Sequence, residues 1–273
     1  MPTPASLAKL ANRLRLDALQ MIHDASSGHT GGSMSCIDII TALYCGGFLQ
    51  HNPKKLADPA RDFFFLSKAH ASPAIYAVLA ERGFFPKKHF KSFRQVNSLL
   101  QGHPNQHVPG VEVAGGSLGQ GLSIAAGTAM GLQAAGKKNR VFCLLGDGEL
   151  QEGQVWEAAM TAAHYQLGNL TAFVDNNTLQ IDGNNNEVMT VTPIAAKFKS
   201  FGWEVMTIDG HNMTQIVDAL KKAKKARTAP LLILAKTVKG KGAPMAEGNY
   251  AYHGAPLNAD EMKITKEHLA TKC

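Results

Sequence analysis

The chain has 273 residues, of which 45% are hydrophobic, and a formal net charge of +7. That is enough apolar material for one large core or two modest ones, and it excludes a string of small modules. Cys36, Cys45, Cys143 and Cys273 show no CxxC pairing and sit mostly in apolar stretches, which argues against disulfide staples and a zinc site and for a reducing, cytoplasmic setting.

The opening stretch MPTPASLAKLANRLRLDALQMIHD lacks the apolar core of a signal peptide, and no run of about 18 or more uncharged apolar residues occurs. The reading is a soluble chain without a membrane anchor. Basic residues are scattered except in KKAKKAR (Lys221 to Arg227), which reads as the solvated face of an amphipathic helix and not as a nucleic-acid patch.

In chain order, Leu7, Leu10, Leu14, Leu19 and Ile22 recur at helical spacing and predict a first helix. A glycine-rich break at SSGHTGG follows, and helical character resumes from Asp38 to Phe48. From Ala114 to Gly131, small residues recur at helical spacing as for close packing on a neighbour, with Gly127 and Gly131 as packing positions. RVFCLLG from Arg140, LTAFVDN from Leu170 and PLLILAK from Pro230 predict buried strands, and WEVMTI from Trp203 predicts a fourth. Helical segments at Gln154 to Tyr165, Pro193 to Phe201 and Met213 to Ala226 separate them. The alternation predicts an α/β fold, a parallel sheet flanked by helices on both faces, with residues 1–273 as a single domain. Beyond about Gly240 the composition predicts an ordered loop and then a last helix near Asp260 to Leu269.

Ligands of an open parallel sheet bind where loops leave the carboxyl ends of strands. LLGDGELQEG sets Gly146, Asp147 and Gly148 directly after one strand, and FVDNNTLQIDG sets Asn176 and Asn177 after the next. Glycines there let backbone approach a phosphate, yet an aspartate between them repels a bare phosphate unless a cation intervenes. The Asp147 carboxylate and the Asn177 amide oxygen are hard ligands of the kind magnesium takes. The interval, 177 − 147 = 30 residues, accommodates a helix and the adjacent strand. Alone, GDG is a common turn. GDG, the crossover and NN together resemble the signature of thiamine-diphosphate enzymes, which implies Asp147, Asn177 and the main-chain carbonyl of Leu179 as ligands of Mg2+, with Ca2+ or Mn2+ as possible substitutes.

Six stretches, SSGHTGGSMS, LSKAHASPAIYAVLAERG, LQGHPNQHVPGVEVAGGSLGQGLS, GDGELQEGQVWEA, DNNTLQIDG and TVKGKGAPMAEGNYAYHGAPL, resemble transketolase amino-terminal motifs in the correct order and span nearly the whole chain. The resemblance implies the diphosphate-binding domain of a thiamine-diphosphate fold and a transferase of the pentose phosphate pathway that moves a two-carbon ketol unit between sugar phosphates. Four histidines of these motifs, His29, His70, His103 and His253, stand next to Gly, Ala or Pro, and imidazoles can both hydrogen-bond sugar or phosphate oxygens and exchange protons near neutral pH. By resemblance, His103 meets the first hydroxyls of the donor, His29 and His253 flank the reacting carbonyl and carry protons, and His70 and His253 lie by the cofactor. The same resemblance gives Gly116 and Leu118 contact with the aminopyrimidine, Ile181 packing on the thiazolium, and Gly146, Gly148 and Lys239 proximity to the diphosphate. Glu152 would meet the partner's activating glutamate. The other seven histidines, His51, His89 and His107 among them, are assigned to the surface. Two positions depart from the family pattern: Ala69 stands where Gly precedes the histidine, and Gly115 where Thr is usual.

In transketolases the activating glutamate, the aromatic pyrimidine pocket and the arginines that grip the sugar phosphate belong to a second domain, and this sequence stops at Cys273. The implied enzyme is split: a separately encoded C-terminal subunit supplies the pyrimidine-binding and C-terminal domains in an α2β2 heterotetramer, and this chain alone has little activity. The basic, complete-looking tail argues against a fragment of a longer enzyme. Within the cofactor class the alternatives are the corresponding part of 1-deoxyxylulose-5-phosphate synthase or of a 2-oxo-acid dehydrogenase, and outside catalysis a thiamine-diphosphate-binding protein. A dinucleotide-dependent oxidoreductase would need GxGxxG after its first strand, which GDGELQEG does not provide.

Overall fold

The computed structural model describes residues 1–272. Chain order begins with helix α1 (Pro4–Asp24), α2 (Thr30–Cys45), strand β1 (Phe63–Leu66), α3 (Ser72–Glu81), α4 (Gln120–Ala134), β2 (Val141–Gly146), α5 (Gly153–His164) and β3 (Leu170–Asn176). It continues with α6 (Asn185–Val188), α7 (Ile194–Ser200), β4 (Glu204–Asp209), α8 (Met213–Ala223), β5 (Leu231–Lys236) and α9 (Ala259–Ala270). The helix ends follow local chemistry. Thr3 accepts from the Ser6 amide to cap α1, whose first turn holds Pro4 where no N–H is needed. Asn258 and Glu261 form a reciprocal capping box that starts α9.

The five strands pair in the order β1-β2-β3-β5-β4, all parallel. Alternation along β2 feeds two cores: Phe142 and Leu144 join the layer with α1, α2, α3 and α8, while Val141, Cys143 and Leu145 join the layer with α4, α5 and α7. The expected α/β architecture is therefore present, and so are the four expected strands.

Several expectations need correction. Strand β1 is an addition, a run of only four residues at the sheet edge, too short to stand out between polar flanks. The second helix starts at Thr30, eight residues before the expected Asp38, and contains Gly31 and Gly32. Gly31 is there because a Cβ would lie 2.8 Å from Lys239 Cγ, and Gly32 because one would lie 2.9 Å from His70 Nε2. Gly127 and Gly131 do not serve packing within this chain: among the described residues no atom lies within 4 Å of a Cβ built at either, since both face outward from α4. Lys221 and Lys222 are exposed and pair with Asp218 and Glu204, but α8 ends at Ala223 and Arg227 turns inward to donate to the Thr171 hydroxyl at 3.0 Å, so KKAKKAR is not one continuous solvated face. His51 is not a surface residue; it is 7% exposed and packs on Phe84 at a centroid distance of 4.8 Å. His211 is also drawn in, with Nδ1 2.8 Å from Asp38 Oδ2. Cys36, Cys45 and Cys143 are free thiols, and Cys273 lies outside the described residues.

Candidate active site

The turns that leave β2, β3 and β5 open into one cavity of about 170 Å³ at the carboxyl edge of the sheet. Its lining includes His70, Leu118, Gly146, Asp147, Gly148, Glu152, Asn177, Leu179, Ile181, Lys239 and His253, eleven of the residues singled out from sequence. His29 joins through its neighbours, 5.2 Å from His70 and 5.4 Å from His253 between ring centroids. His103 stands 6.1 Å from His29, and Gly116 lies beside it, a Cβ built there falling 3.9 Å from His103 Cγ. Leu118 and Ile181 are large apolar side chains left 38% and 64% exposed at the rim.

Two turns meet at Asp147. Its Oδ1 accepts from the Gly148 amide at 2.9 Å and its Oδ2 from the Thr178 amide at 2.5 Å, which ties the β2 turn to the β3 turn. Burial, then the neighbouring Asp175 carboxylate, pushes the Asp147 carboxyl up to about 6. Asn177 Oδ1 accepts from the Leu179 amide at 3.2 Å, and the Leu179 carbonyl accepts from Lys239 Nζ at 3.1 Å. A buried carboxylate whose charge is costly, an amide oxygen and a carbonyl oxygen form a hard donor set suited to magnesium. Among the described residues no group of three or more His, Cys, Asp or Glu side chains is placed to hold a metal, so a cation at this site takes mixed ligands.

Two buried carboxylates that the sequence reading passed over hold these turns in place. Glu149, 3% exposed, accepts from the Ser67 hydroxyl at 2.5 Å and the Gly119 amide at 2.9 Å through Oε1, and from the Gly146 amide at 3.0 Å through Oε2. One side chain thus satisfies donors from the β1 turn, the loop before α4 and the β2 turn. Asp175, fully buried in β3, accepts from Lys68, from Thr237 and, at 2.6 Å, from Ser35. Burial opposes ionisation of both Lys68 and Asp175, but each partner's charge overcomes it, so the Lys68 pKa is raised and that of Asp175 lowered. Lys68 brings a fixed positive charge to the cavity floor.

The histidines are neutral. Burial, and then a charged His103, brings His29 down to about 4; burial and then Lys239 bring His253 down to about 3. His70 is lowered well below the ordinary value by burial and Lys68. The Lys239 ammonium, itself brought down to about 8 by burial and by Lys68, donates to His253 Nδ1 at 3.0 Å. His29 Nδ1 is buried with no hydrogen-bond partner among the described residues. At neutral pH the cluster offers ring nitrogens that accept or relay protons, with two ammonium groups behind them to attract anionic oxygen.

Residues 6–273 match the family described as transketolase, thiamine diphosphate binding domain. A 6-deoxy-6-sulfo-D-fructose transketolase subunit from Clostridium sp. (strain MSTE9) is 40% identical over 260 residues, covering 95% of this chain and 94% of that relative. One of the two subunits of an apulose-4-phosphate transketolase from Actinobacillus succinogenes is 38% identical, covering 89% of this chain and 88% of that relative. A transketolase crystal structure from Campylobacter jejuni superposes with a TM-score of 0.93 at 36% identity, over 99% of this chain but only 43% of that one. A family match over nearly the whole length, on a fold whose strand-end turns bring the signature residues to one cavity, establishes that the chain belongs to the thiamine-diphosphate-binding domain family of transketolases.

Proposed function

We propose that this chain is the N-terminal subunit of a split, cytoplasmic transketolase, its residues 1–273 acting as one diphosphate-binding domain beside a separately encoded C-terminal subunit. The observation that carries the reading is the convergence of Asp147, Asn177, the Leu179 carbonyl, Lys239 and three neutral histidines on one cavity. Thiamine diphosphate, when bound, supplies a nucleophilic carbon that accepts the two-carbon unit. Asp147, Asn177 and Leu179 hold Mg2+ against its diphosphate, Gly146 and Gly148 let the backbone approach, and Lys239 and His70 add positive charge and hydrogen bonds. Gly116, Leu118 and Ile181 contact the rings, and Glu152 faces the subunit that carries the activating glutamate. His103 orients the donor, and His29 with His253 move protons at the reacting carbonyl and hydroxyl. Full-length relatives more than twice as long and relatives called subunits support a partner chain; α2β2 is the assembly we propose, since closed two-fold assemblies are common.

The donor is a ketose with an anionic terminal group. Xylulose 5-phosphate, 6-deoxy-6-sulfofructose, apulose 4-phosphate and pyruvate should be compared as donors with the assembled enzyme. Consumption of a ketose supports the assignment, and consumption of pyruvate alone refutes it.

A further inference from the structure

Arg94 occupies left-handed backbone at φ +62°, a conformation that costs any residue with a Cβ. Its neighbours fix it there. Phe93 is 2% exposed and its ring lies 3.4 Å from a Cβ built on Gly28, the position before His29, while the Arg94 amide donates to the Leu100 carbonyl at 2.8 Å. The guanidinium lies over Gly102: a Cβ there would be 3.0 Å from Arg94 Cζ and 3.2 Å from Nη1, so Gly102 leaves the space that the arginine fills. Gly102 precedes His103. The Arg94 charge helps lower His103 and His29, behind burial in the first case and behind burial and His103 in the second.

Nothing within the chain accounts for an arginine at this point. No carboxylate pairs with it among the described residues, its side chain is exposed, and glycine would satisfy the backbone without strain. Strain kept at a site in favour of a particular side chain points to use of that side chain.

We propose that Arg94 is a substrate-contacting residue whose guanidinium, held over Gly102 next to His103, donates to two neighbouring oxygens of the ketose and so sets sugar affinity. This rests on the sugar-transfer reading above. The guanidinium presents a rigid fork of donors that suits a pair of adjacent oxygens, which an ammonium cannot reproduce.

The test uses the assembled two-subunit enzyme carrying Arg94→Gly, with Arg94→Lys as the second variant. Glycine removes the fork and also relieves the backbone, so a purely structural role and a substrate role give opposite results. The inference predicts a KM for the ketose raised about tenfold or more in Arg94→Gly, kcat and thiamine-diphosphate affinity little changed, and a melting temperature equal to or above that of the wild type. Arg94→Lys should be intermediate in KM and no more stable than the wild type. An unchanged KM in Arg94→Gly overturns the inference, as does a joint fall in melting temperature and cofactor affinity. If the wild type takes its two carbons from a donor other than a ketose phosphate, the ketose-phosphate assignment fails, and the same KM ratio, read on the donor actually used, still decides the role of Arg94.

Discussion

A Cβ placed on Gly115 would sit 2.5 Å from the Cβ of Ala69, so the two positions at which this chain departs from the transketolase pattern touch each other. Where the family pairs Gly with Thr, this chain pairs Ala with Gly, moving bulk from one side of the contact to the other. Gly115→Thr alone should therefore destabilise the chain by about 1–3 kcal/mol through overpacking, and Ala69→Gly should restore most of that loss in the double variant. A double-mutant cycle by urea unfolding measures the coupling; additive effects would mean that the two departures are independent.

Glu149 should behave as a clamp and not as a reacting group. Glu149→Ala leaves the Gly119 and Gly146 amides and the Ser67 hydroxyl without their acceptor, at a cost of about 3 kcal/mol, and should weaken cofactor binding because those loops form the site. Glu149→Gln keeps one oxygen acceptor and should lose less. Unfolding and calorimetric titration on both variants check the order.

His51 imposes a pH dependence far from the reacting groups. Burial, then the charges of Arg61 and Arg82, brings its pKa from 6.5 to about 4, and its Nδ1 has no hydrogen-bond partner among the described residues. Between those values the unfolded chain binds a proton that the folded chain does not, so the contribution is full above pH 6.5 and is lost as pH falls towards 4. His51→Leu should flatten that arm of the stability curve by up to about 3 kcal/mol, as read by urea unfolding at stepped pH. An unaltered slope would show that His51 is already protonated in the fold.

The cation turn was legible in the sequence because its chemistry is local: a carboxylate between two glycines after one strand and an asparagine after the next. The four histidines were legible through their motifs. What lay outside reach depends on contacts between distant residues. Glu149 has meaning only when Ser67, 82 residues away, donates to it, and Lys68 only when Asp175, 107 residues away, accepts. Gly31 and Gly32 read as a helix break by composition, whereas the close approach of Lys239 and His70 puts them inside a helix. His51 carries no sign in sequence of the Phe84 and Tyr44 rings that bury it.

Metal and donor roles should separate in binding experiments. Asp147→Ala removes the carboxylate that joins the two turns and should abolish magnesium-dependent thiamine diphosphate binding. His103→Ala, at the outer side of the histidine cluster, should leave cofactor affinity within about threefold while lowering turnover of the donor by about a hundredfold. Calorimetric titration, with and without magnesium, exposes an error in either assignment.

The most direct test of the central claim is ketol transfer from xylulose 5-phosphate to ribose 5-phosphate, with magnesium and thiamine diphosphate, by this chain alone and by this chain co-expressed with a candidate C-terminal transketolase partner. The split-enzyme account predicts transfer only in the co-expressed sample. Transfer by this chain alone, or none from a complex that co-purifies and binds the cofactor, would contradict it.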